Sequence, residues 1–511
     1  MSETKSSSGK VSFFVLCALG AAMLATNRWF TAVDDEVSII DRASVPVATT
    51  VRIFLSGAGQ HEHPPLYDIL LHGWLRLTSG NIDLLRVPAT IFYLAGIWVI
   101  VRIAGEIAGR KAEVAALAIG AISPYGFHFG RVAAWYSFCF LLVALETYLY
   151  LRYGARRSGA NWSWLFLCSL ALIYSNYFGW VLLALLALDF ILSNRSGGFR
   201  PLAPILAMGA LLFAAFLPIL LAFVRELHKG IEPYRQPLTM ILAATYVLYA
   251  MLVSESVAPW FWWLGIPAAI GVAAAIGLAI RYAPPIGRRL LAYFFVSLAI
   301  MAVIGVVETK RVLMLLPWLA LPIALACAAA SSRTARRAFV ASLVLVFGIG
   351  WFGIFDRKLY AAPHWIEPWS SVAQQAAAVV RNGGIVIGNN ESFFFYLTYL
   401  LPPEKPAAGH DFRGYLPDSA VRRGVYDPEQ WLAAGSSSGY PVEPEVMLVK
   451  GLHFGTSAAA TDETQHWLDE NCHMTADRLM VHDFGAAIKT RLVPADNQLP
   501  WRVEVRSYSC R

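Results

Sequence analysis

The sequence predicts a polytopic membrane protein made mostly of helices, followed by a soluble α/β domain. Of its 511 residues, 57% are hydrophobic and only 15% are charged, and the mean hydropathy is +0.53. Soluble globular proteins carry about 25% charged residues, so this composition favours a chain that is largely embedded in lipid. The aromatic share of 13% is typical of a protein with many membrane–water interfaces.

Hydropathy predicts about eleven transmembrane helices in the first two thirds of the chain. For the first apolar run, Val11–Phe30, a signal peptide is the alternative, but the length of the run and the lack of a convincing cleavage site favour a helix. Leu238–Val253 is interpreted as an interfacial or re-entrant helix, because an extra span would break the alternation of basic loops. The ten other predicted spans are Val87–Gly105, Val114–Phe129, Trp135–Leu151, Trp162–Asn176, Phe178–Leu192, Leu202–Val224, Trp260–Ile280, Leu290–Val307, Val312–Ala330 and Phe339–Phe355.

The basic residues predict the orientation of these helices. If the N-terminus is cytoplasmic, every predicted inner loop contains Lys or Arg, as the positive-inside rule requires. An odd number of helices then places the C-terminal tail outside the cytoplasm. The predicted domains are therefore a transmembrane domain, 1–355, and an extracytoplasmic α/β domain, 356–511. Soluble segments contain no basic run interleaved with aromatic residues, so nucleic acid is not an expected partner.

The predicted α/β domain is acidic, with 14 Lys and Arg against 18 Asp and Glu from residue 356 onward. It lacks the GxGxxG fingerprint of dinucleotide-binding domains. Of the six cysteines, only Cys472 and Cys510 lie in this domain, and they would be able to pair in an oxidising compartment. The runs that predict strands are Ile385–Gly388, Val446–Val449, Ala487–Val493 and Arg502–Tyr508, and Phe393–Leu401 predicts a helix.

Three consecutive acids, Asp34, Asp35 and Glu36, follow the first predicted helix closely. A carboxylate can take the proton from an attacking hydroxyl group, so these residues are candidates for a general base. The alternative interpretation is a solvated acidic turn just outside a helix.

The stretch His61-Glu62-His63-Pro64-Pro65 precedes an amphipathic run that reaches Leu77. Proline suits the first turn of a helix, and a helix N-terminus favours a phosphate group, which His63 could bind or protonate. Two alternatives remain open, namely a helix start with ordinary surface histidines and a metal site that includes His61 and His63.

The order of these motifs resembles the GT-C glycosyltransferases, especially the aminoarabinose transferase of lipid A and the protein O-mannosyltransferases. The resemblance covers about Trp29–Tyr177 well and the later helices only in layout. His63 stands where the aminoarabinose enzyme has Lys, and Val132 and Ala134 stand where the family often has Glu and Arg. The matching motifs are Asp35-Glu36, Glu62–Tyr67, Leu85–Pro88, the segment from Ser123 to Ser137, and Lys310-Arg311 before the late span.

The resemblance implies a GT-C fold and a transfer of a sugar from a polyprenyl-phosphate donor to a lipid, glycan or protein acceptor. Asp35 would be the base, assisted by Asp34 or Glu36, and the reaction would invert the anomeric centre. No cofactor is implied, and the residues do not support a divalent metal. The residues implied in substrate binding are Glu62, His63, Arg86, Arg131, Lys310 and Arg311.

The implied location is the bacterial inner membrane, with the reaction at its outer face. The main competing hypothesis is a multi-pass lipid or glycan transporter or flippase. Transporters keep ionisable residues near the membrane midplane, whereas Leu202–Val224 and Val312–Ala330 contain none. A polymerase or ligase of lipid-linked glycans and a non-catalytic membrane scaffold are two further competing hypotheses.

Overall fold

The structure, a computed structural model, divides the chain into two compact units. The first unit comprises Met1–Asn27 and Ala43–Tyr360, and the second comprises Arg28–Arg42 and Ala361–Arg511. The sequence predicts a boundary at residue 355 and does not reveal that Arg28–Arg42 groups with the C-terminal residues. The residues that the structure describes are 3–32, 34–56, 63–78, 81–194, 202–228, 237–401, 424–438, 444–451, 458–482 and 502–510.

The first unit is built from helices, as the hydropathy of the sequence predicts. Helix α2 (Asp34–Ser44) begins in the second unit and continues into the first. The remaining helices up to residue 360 are α1 (Glu3–Ala25), α3 (Val47–Ser56), α4 (Leu66–Leu77), α5 (Val87–Ala108), α6 (Arg110–Ile122), α7 (Pro124–Phe129), α8 (Trp135–Ala155), α9 (Gly159–Ile173), α10 (Gly179–Asn194), α11 (Ala203–His228), α12 (Pro237–Val253), α13 (Trp262–Tyr282), α14 (Pro285–Val303), α15 (Leu316–Ala329) and α16 (Arg333–Asp356).

Several of these helices can cross a membrane, which confirms the prediction of a multi-pass membrane protein. Among the described residues, seven helical segments are long and apolar enough to do so, and others of 10–17 residues are apolar but shorter. The prediction of about eleven spans is therefore not confirmed. The seven are Val87–Ala108, Trp135–Ala155, Ala203–Arg225, Trp262–Tyr282, Pro285–Val303, Arg311–Ala329 and Arg333–Asp356.

One predicted span, Val114–Phe129, is two helices in the structure. Helix α6 ends at Ile122 and α7 begins at Pro124, because proline has no N–H to donate and disfavours helical backbone at the residue before it. Ser123 is extended, with ψ 115°, and its side chain caps α7 by accepting a hydrogen bond from Gly126 N.

The second unit contains a five-stranded mixed sheet, which confirms the predicted α/β domain. The strand order is β2-β1-β3-β5-β4; β1 pairs in parallel with β2 and β3, whereas β5 is antiparallel to β3 and β4. The strand predicted at Ala487–Val493 lies outside the described residues. The elements are α17 (Trp369–Arg381), β1 (Ile385–Gly388), α18 (Glu391–Leu400), β2 (Val425–Tyr426), α19 (Pro428–Ser438), β3 (Val446–Gly451), α20 (Ala458–Asn471), β4 (His473–His482) and β5 (Arg502–Ser509).

Helices cover both faces of this sheet. Residues of α17 and α18 share one hydrophobic cluster with Val386 and Met447, and residues of α19 and α20 share another with Ile387 and Leu448. Strands β1 and β3 are consequently buried along their whole length, as expected of parallel strands that are covered on both sides.

Within the second unit, hydrogen bonds join the segment before α2 to the C-terminal residues. Thr31 N donates to Trp365 O over 2.8 Å, and Thr31 Oγ1 donates to Glu367 O. Ala32 N donates to Tyr396 Oη over 2.9 Å. These bonds account for the grouping of Arg28–Arg42 with residues that follow them by more than 300 positions in the sequence.

Cys472 and Cys510 form a disulfide, with their Cα atoms 4.5 Å apart. Cys472 precedes β4 and Cys510 follows β5, next to the terminal strand pair His473–Ser509. The bond therefore closes one end of the β4–β5 ribbon.

We expect Cys472→Ser and Cys510→Ser each to lower the free energy of unfolding of the second unit by about 2–4 kcal/mol, because the bond closes a loop of 38 residues. Denaturant unfolding of the purified protein with and without reductant measures the effect. The control is Cys17→Ser, which removes an exposed free cysteine. Equal unfolding midpoints for the wild type under oxidising and reducing conditions would contradict the prediction.

Candidate functional site

The predicted acidic residues Asp34, Asp35 and Glu36 form the first turn of α2, in the second unit. Acidic side chains are favoured there because they interact with the partial positive charge of the helix N-terminus. The side chain of Asp35 is half-buried, whereas Glu36 is only 1% exposed. Of these two carboxylates, Asp35 is therefore the more accessible to a substrate.

His63 is half-buried next to the start of α4. Its Nδ1 lies 3.4 Å from Nδ2 of Asn176, and its ring centroid is 4.5 Å from that of Trp135. The helix predicted after the two prolines is confirmed and begins at Leu66. Glu62 and His61 lie outside the described residues.

Two of the predicted arginines bind backbone carbonyl groups of the N-terminal segment. Arg86 is 7% exposed, and its Nη1 donates to Asn27 O over 2.8 Å. Arg131 is fully buried, and its Nη1 donates to Met23 O over 2.6 Å and to Thr26 Oγ1 over 2.8 Å. Because Met23 and Thr26 lie at the C-terminal end of α1, the Arg131 guanidinium is bound where a helix favours positive charge.

Helix α7 is not one of the seven helical segments that can cross a membrane. Its residue His128 is fully buried, and the Nδ1 atom of His128 lies 3.2 Å from Ser254 Oγ. Burial lowers the pKa of His128 well below its ordinary value, and the charges of Arg131 and Arg86 lower that pKa further. The imidazole is therefore neutral near pH 7.

The predicted Lys310 and Arg311 follow the C-terminal end of α14. Gly305 has φ +76°, and its N–H bonds to Ala302 O while Val306 N bonds to Met301 O. This pattern is a Schellman motif, in which glycine tolerates the left-handed backbone that ends α14. The chain then turns into a short 3-10 helix, Arg311–Leu315, which leads into α15.

Glu308 lies between the two cations. Its Oε2 is 3.5 Å from Lys310 Nζ and 3.3 Å from Arg311 Nε. The Lys310 and Arg311 side chains are 19% and 18% exposed, so they are shielded but still accessible. We refer to Glu308–Arg311 as the cation segment.

Glu255, in the loop after α12, contacts the cation segment, although the sequence analysis does not identify it as a functional residue. It is 2% exposed and accepts a hydrogen bond from Thr309 Oγ1. The signal in the sequence is that Glu255 is the only acidic residue between Glu232 and Glu308, and that it lies just past the end of the apolar α12, after Ser254.

The hydroxyl group of Tyr360 is affected by the charges of several of these residues. Burial raises its pKa; the positive charges of Arg357 and Arg131 lower that pKa, and the negative charge of Glu255 raises it. Its ring lies edge-on to His128 at 5.9 Å. His128 contacts Ser254, the neighbour of Glu255, and Glu255 reaches the cation segment through Thr309, so these polar groups lie close together in the first unit.

The described residues contain no group of three or more His, Cys, Asp or Glu side chains that could hold a metal ion. A metal site at His61 and His63 is not tested, because His61 lies outside those residues.

Two solved structures resemble this chain over nearly its whole length. The apo crystal structure of ArnT from Cupriavidus metallidurans matches with a TM-score of 0.57 and 13% identity over 98% of both chains. ArnT from the same organism bound to undecaprenyl phosphate matches with a TM-score of 0.54 and 14% identity over 97% of both chains. The chain has a GT-C fold. The GT-C resemblance inferred from the sequence motifs is thus confirmed for the fold.

The family comparison covers part of this GT-C fold. Residues 62–222 match the family model of dolichyl-phosphate-mannose-protein mannosyltransferase. The match includes Arg86 and Arg131, but it ends before Glu255 and the cation segment. Among curated protein sequences, none matches the chain.

We expect the stability of the wild type to fall as the pH drops below about 6.5, because unfolding lets His128 regain the proton that it lacks in the folded state. The contribution of this residue is complete above pH 6.5 and is lost below it, by up to about 1.4 kcal/mol per pH unit. His128→Gln should show a shallower loss between pH 7.5 and 5 when thermal unfolding is followed in detergent.

Phe129→Leu is the control for this pH experiment, because the Phe129 ring stacks on His128 at 4.2 Å and carries no titratable group. It should lower stability at every pH with the wild-type slope. If His128→Gln also retains the wild-type slope, the neutral buried histidine is not the cause.

Proposed function

We propose that the protein transfers a sugar from a polyprenyl-phosphate donor to a lipid, glycan or protein acceptor. The observation that carries this proposal is the cation segment, in which Lys310 and Arg311 share one carboxylate oxygen of Glu308. Two shielded cations directed at a single oxygen form a suitable partner for a phosphate group.

The GT-C fold supports the identity of the donor. The matched ArnT structure from Cupriavidus metallidurans is bound to undecaprenyl phosphate. The family model that matches residues 62–222 is named for dolichyl-phosphate-mannose. Both names refer to a phosphate on a polyprenyl chain, and several long apolar helices offer a lipid-facing surface for such a chain.

In the proposed reaction, the acceptor hydroxyl group attacks the anomeric carbon while the bond from that carbon to the phosphate oxygen breaks. The carboxylate of Asp35 takes the hydroxyl proton. The phosphate leaves with the bonding electron pair, and Lys310 and Arg311 stabilise the developing charge. A single displacement inverts the anomeric centre. Arg86 and Arg131, which bind carbonyl groups at and after the end of α1, are assigned a supporting role in donor binding.

The proposed location is the outer face of a bacterial inner membrane, with the N-terminus in the cytoplasm. The disulfide between Cys472 and Cys510 supports an extracytoplasmic C-terminal unit, because such bonds persist in oxidising compartments. The basic predicted inner loops support the same orientation.

We expect Asp35→Asn to lower kcat by about 10²–10⁴-fold, since the amide cannot accept the proton. Transfer is measured in nanodiscs with a panel of undecaprenyl-phosphate-linked pentoses and hexoses. Asp41→Asn, a change in the same helix α2, is the matched control and should retain activity. Full activity of Asp34→Asn and Asp35→Asn, separately and combined, would show that the base has been assigned wrongly.

We expect Lys310→Gln and Arg311→Gln each to raise the KM for the donor by about 10–100-fold, because each removes a charged partner of the phosphate. Glu308→Gln should have the opposite effect and lower this KM, because it removes the anion that competes for both cations. Arg102→Gln, an exposed arginine on α5, is the matched control.

Two results would contradict the assignment of the cation segment. The first is an unchanged donor KM in both Lys310→Gln and Arg311→Gln. The second is uptake without transfer in a counterflow assay with proteoliposomes, which would favour a transporter instead.

A further inference from the structure

We propose that Glu255 is a positioning residue that fixes the two phosphate-binding cations through Thr309. This inference rests on the proposed function, because it concerns the affinity of Lys310 and Arg311 for a polyprenyl phosphate. Glu255 lies outside the region that matches the family model, which ends at residue 222.

The burial of Glu255 is the first observation. Only 2% of the residue is exposed, and a carboxylate removed from water is costly unless hydrogen bonds or charges compensate. One of its oxygens, Oε1, accepts the hydroxyl of Thr309, and the hydroxyl of Tyr246 lies 3.5 Å from the same oxygen. The carboxylate is thus directed at the residue that immediately precedes Lys310.

Thr309 is bound at two points. Its side chain donates to Glu255, and its backbone carbonyl accepts a hydrogen bond from Tyr125 Oη over 2.6 Å. Together these bonds fix both the side chain and the peptide that leads into Lys310. Since Lys310 immediately precedes the 3-10 helix and Arg311 begins it, the position of Thr309 fixes the backbone from which both cationic side chains extend.

The loop that carries Glu255 is itself held firmly. Ser254 has φ +71°, an uncommon backbone conformation for a residue other than glycine, and its N–H donates to Ala250 O over 2.7 Å. Ser256 Oγ donates to Gly350 O of α16 over 2.7 Å. A Cβ atom on Gly353 would lie 2.3 Å from Ser256 O, so α16 approaches this loop closely only because it has glycine there.

This arrangement matters because phosphate recognition by two cations depends on their spacing. A binding group must be held within about 0.5 Å of its productive position to retain full affinity. Lysine and arginine side chains are long and flexible, so the backbone beneath them has to supply the precision. Glu255 and Thr309 supply it without contacting the phosphate themselves.

The test uses the full-length protein in nanodiscs and undecaprenyl monophosphate as the probe. We expect Glu255→Gln and Thr309→Val each to raise the Kd for this lipid about tenfold. In transfer assays they should raise the donor KM by the same factor and change kcat by less than about threefold. Thr309→Ser retains the hydroxyl group and should restore wild-type affinity.

A double-mutant cycle separates positioning from independent damage. If Glu255 acts through Thr309, Glu255→Gln combined with Thr309→Val should bind no more weakly than Thr309→Val alone, because Gln only replaces the charged acceptor of the bond that Thr309→Val removes. The matched control is Glu146→Gln in α8. Glu146 is 3% exposed and accepts a hydroxyl hydrogen bond from Ser169, so this substitution removes an equivalent buried carboxylate outside the cation segment.

The outcomes distinguish this inference from the proposed function. If the wild type binds undecaprenyl monophosphate but Glu255→Gln and Thr309→Val keep its Kd, the positioning role is wrong and the proposed function stands. Glu146→Gln changing the Kd as much as Glu255→Gln would also overturn the positioning role. If the wild type binds no polyprenyl phosphate, the proposed function fails, and this inference with it. Should Glu255→Gln not fold, Thr309→Val and Thr309→Ser decide the question.

Discussion

Charged side chains that leave water must find polar partners, and this constraint organises the first unit. The fully buried guanidinium of Arg131 is an example, because it takes its partners from Met23 and Thr26 at the end of α1 and from Phe127 O within its own turn. Its charge also lies over the Phe127 ring at 4.1 Å. A single cation thereby connects the first helix of the chain to the turn between α7 and α8, more than 100 residues later.

The same constraint explains why negative and positive groups alternate around the cation segment. Glu308 compensates Lys310 and Arg311 directly, whereas Glu255 acts one residue away through the neutral Thr309. A carboxylate in direct contact with the cations would compete with a phosphate, but one that is separated by a hydroxyl group need not. The two acids therefore have different consequences for an anionic ligand although both stabilise the same segment.

The sequence predicted those features that depend on local pattern. Long apolar runs such as Leu202–Val224 became helices, and the runs that led to β1 and β3 became strands because most of their residues are apolar and several are β-branched. The break at Ser123-Pro124 was also local, but the apolar residues on both sides of it concealed it. Features that depend on distant contacts were not predictable, and the bonds from Thr31 and Ala32 to the C-terminal residues are the clearest case.

The candidate site shows the same division. Lys310 and Arg311 could be recognised because they form a short motif before a span. The signal for Glu255, a single acid between two apolar helices, is too weak to identify it, because such an acid is also typical of an ordinary loop. Its significance comes from Thr309, which lies 54 positions away in the sequence and adjacent to it in space. A buried acid whose partner adjoins a recognised motif is therefore a better indicator of a positioning role than the acid alone. The acids Asp34–Glu36 are the opposite case, because a local sequence motif is enough to identify them. Their anchoring is not local, since hydrogen bonds from residues 31 and 32 to C-terminal residues of the second unit hold the chain just before them.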